Sequence, residues 1–237
     1  MILDAVFQED IQQSGARLDY NIQFMRNKHW DNLFILIGQA SKVLITIAFI
    51  PLYLDHSRLY GQLYTFVVIT AIYMNNILKM LYSNPRPYWT DDDVDAVTCD
   101  SGFGNPSGHA MFTAPGIMFL AYIWCLNNLN PTANILKFSV CIFMVLLVGF
   151  DRLYLGVHSY AQVILGWTYG NLILTACIFF KTHINHTLFL QGRKDKNMLF
   201  ITAASIILIT IPIIIHYLCD PYWLSSWSAR YLSVTFT

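Results

Sequence analysis

Six stretches of the chain are apolar for long enough to cross a bilayer: residues 32–54, 60–82, 107–127, 134–155, 160–181 and 198–218. A spanning helix needs about 20 mainly apolar residues to cover roughly 30 Å of hydrocarbon. Two of the stretches carry polar interruptions, Lys42 in the first and Asn75-Asn76 in the second. The connections are short except 83–106 and 182–197, and the chain shows no repeat, low-complexity tract or linker. The pattern predicts an all-α fold, a polytopic membrane six-helix bundle over 32–218. An N-terminal peripheral segment, 1–31, precedes it and a C-terminal tail, 219–237, follows. Leu18, Ile22 and Met25 recur at helical spacing, which reads as a peripheral amphipathic helix. The same segment carries Asp4, Glu9, Asp10, Asp19 and Asp31 and lacks the basic-then-apolar order of a secretory signal. The first span is therefore expected to serve as an uncleaved insertion signal.

Six spans place both termini on one side of the membrane, together with the 83–106 loop and the 152–160 turn. The unusual polar residues of the chain then converge on one face. The opposite face carries Arg58, Lys137, Lys181, Arg193, Lys194 and Lys196, and the site face carries Arg17, Arg26, Lys28 and Arg230. On those residues the positive-inside tendency puts the site in a lumen; counting Lys79, Arg86 and Arg152 as well reverses the balance. Asn185-His186-Thr187 is a glycosylation sequon on the far face, and a glycan there would decide for the reverse orientation.

Composition narrows the class. Hydrophobic residues make up 56% and charged residues 12%, which points to an integral membrane protein. The net charge is zero, so the electrostatic footprint of a nucleic-acid binder is missing. Five cysteines without a CxxC pair form neither a disulfide scaffold nor a metal knuckle. Cys125, Cys141 and Cys177 fall in apolar runs and read as core; Cys99 and Cys219 are the pair that would share a membrane face. His183 and His186 read as a surface pair, and no metal or cofactor is expected.

Against this background a few residues stand out. Lys79 and Arg86 lie seven positions apart, and Pro85 and Pro87 stop the helix beside them. Taken alone, the pair reads as a basic helix end snorkelling to head groups. Asn105-Pro106-Ser107-Gly108-His109 opens the third span, with Asn105 suited to the cap and Pro106 to the first helical position. A helix N-terminus offers free N–H groups to an anion. Ser107 adds a hydroxyl, and Gly108 leaves room for close approach. An ordinary helix start explains Asn and Pro, but not a histidine one turn inside an apolar span. Arg152 and His158 lie between spans four and five, and Gln162, one turn after His158, is placed to fix its tautomer. Two imidazoles and three cations on one face point to phosphate chemistry, because charge-assisted donors hold an oxyanion best.

Lys79-x6-Arg86-Pro87, Pro106-Ser107-Gly108-His109 and Arg152-x5-His158 together resemble the three-part signature of the type 2 phosphatidic acid phosphatase superfamily. Arg86-Pro87-Tyr88-Trp89, Thr98-Cys99-Asp100-Ser101-Gly102 and Gln162 are similar to its glucose-6-phosphatase branch. The resemblance implies a membrane phosphomonoesterase acting on a sugar phosphate such as glucose 6-phosphate, or on a lipid phosphate. His158 would be the nucleophile and His109 the acid, then base. Lys79, Arg86, Ser107, Gly108 and Arg152 would hold the phosphoryl oxygens. It also implies an endoplasmic-reticulum membrane, with the mitochondrial inner membrane as alternative.

Asp151 departs from the family, which usually has serine before this arginine. A carboxylate about 4 Å from a phosphate charge is repelled by roughly 1 kcal/mol in water and about 4 kcal/mol at an effective dielectric of 20. It is expected to support the site by orienting a catalytic histidine, the alternatives being a pair with Lys42 or a disabled site. A disabled site would make the chain a structural subunit of a membrane complex. The acidic run Asp91, Asp92, Asp93 and Asp95 reads as a solvated loop, and Tyr88 and Trp89 as interfacial anchors. If Asp151 supports an imidazole, Asp151→Ser changes both turnover and its pH dependence; unchanged profiles would remove that role.

Overall fold

The computed structural model describes residues 18, 20–24, 26–52, 54, 58–98, 100, 102–126, 129–184, 186 and 210–214. These residues form helices and loops, with no strand among them. Five long helices organise them: α1, Lys28–Ile47; α2, Arg58–Tyr82; α3, Gly108–Leu126; α4, Pro131–Tyr154; and α5, Tyr160–Phe179. Four segments are long and apolar enough to cross a membrane: Leu59–Thr90, which holds α2, and α3, α4 and α5. The chain is a multi-pass integral membrane protein. The stretch expected as the first span is helical as α1, but it is not among those four, and it carries Lys28, Asp31 and Lys42. The expected sixth span lies almost wholly outside the described residues, as do most of the N-terminal segment, Cys99, Cys219, Asn185 and the C-terminal tail.

Local chemistry sets the helix ends. Asn27 caps α1, its Oδ1 accepting from His29 N at 2.9 Å and Trp30 N at 3.1 Å. Asn130 does the same for α4, with Pro131 at the first helical position. Pro85 and Pro87 prevent α2 from continuing, and the chain folds back through a short turn, Pro87–Thr90. At the end of α4, Gly156 N donates to Leu153 O and Val157 N to Arg152 O, with Gly156 at φ 69°. That pair of bonds is a Schellman stop, and it needs a residue that tolerates left-handed backbone. A Cβ at Gly156 would also lie 2.9 Å from Asp95 O.

The helix α3 is central and packs on α1, α2, α4 and α5. Its contact with α5 is made by small residues four apart. A Cβ at Gly166 would sit 2.7 Å from Ser107 O and 2.9 Å from Ala110 Cβ. Pro115 leaves the Met111 carbonyl without its helical donor, and Gly170 packs against that carbonyl. Two apolar cores follow. One lies between α1, α2, α3 and α5 around Ile45, Tyr64, Val67, Phe119 and Leu174. The other, at the loop end, joins Ile22, Phe34, Tyr88, Trp89, Tyr154 and Val157. Tyr88 and Trp89 are each 2% exposed, so they are core residues and not the interfacial anchors expected from the sequence. The fold-back after Pro87 turns both rings beneath the 91–104 loop, and Tyr88 OH donates to Asp100 O at 3.1 Å. Cys141 and Cys177 are buried and free, as their apolar surroundings imply, and Cys125 is half-buried.

Gly166→Leu should force α5 from α3 and lower stability by about 1–3 kcal/mol through overpacking. Thermal unfolding in detergent checks this; an unchanged midpoint would mean the two helices are not in close contact.

Candidate active site

Alternation of the helices brings the C-terminal ends of α2 and α4 and the N-terminal ends of α3 and α5 to one end of the bundle. Lys79 comes from the last turn of α2, Arg86 from the loop after it, His109 from the first turn of α3 and Arg152 from the last turn of α4. His158 follows the Schellman stop directly, so the six-residue step from Arg152 to His158 is the length of that motif plus one residue.

A cavity of about 290 Å³ is lined by Lys79, Arg86, Gly108, His109 and His158, with Lys42, Asn75, Asn76 and Asp100 among its other walls. Arg152 borders an adjoining hollow of about 100 Å³ that shares Lys42, Asp100 and His109. Ser107, Asp151 and Gln162 stand behind these walls and are buried. The Ser107 hydroxyl has no hydrogen-bond partner among the described residues.

The helix start differs from the expectation. The first carbonyl to accept within α3 is that of Ser107, from Met111 N at 3.0 Å, so the helix begins at Gly108 and not at Pro106. Asn105 does not cap it; its Oδ1 has no partner among the described residues. The cause is tertiary. Gln162 O takes the Ser107 N–H at 3.0 Å, and Asn75 Nδ2 takes the Pro106 carbonyl at 3.2 Å, which holds this segment extended. The shift moves the unbonded N–H groups of the first turn to Gly108 and its successors, beside the cavity.

Hydrogen bonds assign the imidazole tautomers. The Gln162 amide is oriented by two partners: Nε2 donates to Pro85 O at 2.8 Å and Oε1 accepts from Ser159 N at 3.3 Å. Its Oε1 also lies 3.1 Å from His158 Nδ1, so Nδ1 carries the proton and Nε2 presents a lone pair. Arg86 Nη1 sits 3.4 Å from that Nε2. In His109 the order reverses. Arg152 Nη1 lies 3.3 Å from Nδ1, and a guanidinium only donates, so the neutral ring carries its proton on Nε2. One ring offers a lone pair and the other an N–H. Burial, and then the charges of Arg86, Lys79 and Arg152, push His158 well below the ordinary imidazole value, so it is neutral near pH 7.

The arginines are held as firmly as the rings. Arg86, 1% exposed, donates to Gly102 O at 2.8 Å and Val157 O at 3.0 Å, and lies 3.6 Å from Asp100 Oδ2. Arg152 donates through Nε and Nη2 to Asp151 Oδ2, at 3.1 and 2.5 Å. Asp151 therefore pairs with its neighbour and not with Lys42, and it reaches His109 only through Arg152. Gly38 of α1 allows this pair its space, since a Cβ there would lie 2.9 Å from Asp151 Oδ2 and closer still to the guanidinium. Sequence reasoning did not assign Lys42, Asn75, Asn76 or Asp100 to the site. For the first three the signal was present, as polar side chains inside spans. His183 lies on the short helix after α5, away from these walls, and no cluster of three or more metal-ligating side chains occurs among the described residues.

Fold and site together define a helical membrane protein with a buried cationic cup between two imidazoles. A family model described as the PAP2 superfamily matches residues 61–185, more than half of the chain, and the chain belongs to that superfamily. It is 28% identical over 172 residues to the lipid phosphate phosphatase delta of Arabidopsis thaliana, covering 68% of this chain and 40% of that one. It is 24% identical over 167 residues to the glucose-6-phosphatase catalytic subunit 1 of Felis catus, covering 61% and 46%. The dolichyldiphosphatase of Saccharomyces cerevisiae is 31% identical over 110 residues, covering 45% and 44%. The chain thus spans less than half the length of each of these relatives. Among solved structures, a PAP2 type phosphatidylglycerolphosphate phosphatase from Bacillus subtilis matches the fold with a TM-score of 0.66 at 23% identity, covering 76% of this chain and 90% of that one.

The depressed proton affinity of His158 has a consequence for stability. Between its folded value and about 6.5, the unfolded chain binds a proton that the folded chain does not, so stability falls as pH drops below about 6.5. Thermal midpoints in detergent should decline over that range, and His158→Asn should decline less steeply than the parent.

Proposed function

We propose that this protein is a membrane phosphomonoesterase working through a phosphohistidine, with no metal required. The observation that carries the reading is the pair of opposed tautomers across one cationic cavity. His158 Nε2 attacks phosphorus, and the ester oxygen leaves with the proton from His109 Nε2. His109 Nε2 then takes a proton from water, whose oxygen displaces His158 and releases phosphate. Lys79, Arg86 and Arg152, with the Gly108 backbone and the Ser107 hydroxyl, hold the phosphoryl oxygens and offset the charge that metal ions offset elsewhere. Gln162 keeps the Nδ1 proton in place, and Asp151 orients Arg152.

The leaving group is a sugar or a lipid, and the relatives include phosphatases named for each. Six spans with a peripheral N-terminal helix, and residence in the endoplasmic-reticulum membrane, complete the proposal. Mitochondrial inner membrane is the alternative address. A second reading rests on Asp151, which engages the very arginine a phosphate needs. On that reading the chain is a structural subunit of a membrane complex.

Phosphate release by the purified chain, with glucose 6-phosphate and with phosphatidic acid in micelles, tests both. We expect turnover of one of them, inhibition by vanadate, and an acid-labile phosphoryl group on the parent that is absent from His158→Asn. His109→Asn should lower kcat on the order of 10²–10⁴-fold. Absence of turnover with stable co-purification in a large complex would decide for the subunit.

A further inference from the structure

Lys42 lies outside the three motifs, on a helix that contributes no other cation to the cup. It nonetheless borders both the main cavity and the hollow beside Arg152. Gly38 and Lys42 are one turn apart on α1 and line the same hollow, so the face of α1 that covers the Asp151–Arg152 pair also carries this ammonium. Its side chain makes no salt bridge among the described residues. Asp100 lines both hollows with it but is 3.6 Å from Arg86, so among the described residues Lys42 is an unpaired cation inside an apolar helix, placed beside a cavity that takes an anion.

Charge bookkeeping at the cup says which anion. Lys79, Arg86 and Arg152 are opposed by Asp100, 3.6 Å from Arg86, and by Asp151, 2.5 Å from Arg152. One net positive charge remains. A phosphate monoester approaches two negative charges at pH 7, because its second pKa is about 6. Lys42 brings the site to two. Resting on the phosphatase reading, we infer that Lys42 is a fourth substrate-binding cation, and that it replaces the positive charge which Asp151 withdraws. The acid on α4 and the base on α1 then offset one another.

Charge restoration tests this. Asp151→Asn keeps an oxygen to accept from Arg152 and removes the negative charge. We measure vanadate binding by titration calorimetry on the full chain in detergent, and kcat/KM for whichever substrate turns over. Lys42→Met should weaken vanadate binding and lower kcat/KM about tenfold, or about 1.4 kcal/mol. The loss expected is smaller than for a preorganised oxyanion donor, since Lys42 sits at the cavity edge. Lys42→Arg should retain both. Adding Asp151→Asn to Lys42→Met should return both to within about threefold of the parent, a coupling that independent sites do not show. Equal binding by the parent and Lys42→Met would overturn the inference, as would a double variant no better than Lys42→Met. Because vanadate binding is read without turnover, a parent that binds vanadate but hydrolyses nothing would sink the phosphatase reading alone.

Discussion

Two guanidinium groups buried in a membrane bundle are the constraint around which the rest is arranged. Arg86 and Arg152 are 1% and 4% exposed, and an ion removed from water costs several kcal/mol unless its donors are met. Each is met in a different way. Arg86 is bonded by carbonyls of two loops, at Gly102 and Val157, so the loops must close over it for the charge to be tolerated. Arg152 is bonded by a carboxylate on its own helix. What remains of their donor capacity points at the two imidazoles. Electrostatic preorganisation of this kind needs no movement when an anion arrives, because the donors are already aimed.

The two arginines also explain the shape of the surrounding chain. Carbonyl O of Val157 is available because the Schellman stop turns the backbone after Tyr154, and glycine at 156 is what permits the turn. The 91–104 loop is pinned from several sides: Val97 N donates to Leu155 O, and Gln23 and Arg26 both bond Asp95 O. Tyr88 and Trp89 fill the space beneath. Packing at the loop end is therefore in the service of holding charge, whereas the core around Tyr64 and Phe119 is ordinary apolar contact between helices.

The second to fifth spans were legible because each is a long apolar run, and several of their ends carry Pro, Asn or Gly, which act locally. The three polar motifs were legible because charge is rare in such runs. What was not legible depended on partners far away in sequence. The start of α3 is set by Gln162 and Asn75, not by the local Asn105-Pro106 cap signal. Tyr88 and Trp89 have the composition of an interfacial pair, and only the fold-back after Pro87 buries them. Asp151 pairs with the residue beside it, a bond that sequence spacing alone does not show. Lys42 read only as a polar interruption of the first span and an alternative partner for Asp151, because the cavity it borders is built by other helices.

Gln162 ties together three segments that no single helix connects: its backbone carbonyl holds Ser107, its side-chain nitrogen holds Pro85, and its side-chain oxygen holds the His158 ring. A carboxylate there would serve the imidazole equally well, yet it has no hydrogen to give the proline carbonyl. The amide thus fastens the loop at Pro85 and orients the ring of His158 at once. What this position does is less a matter of acid–base strength than of a knot of chain that only a group both giving and receiving can tie.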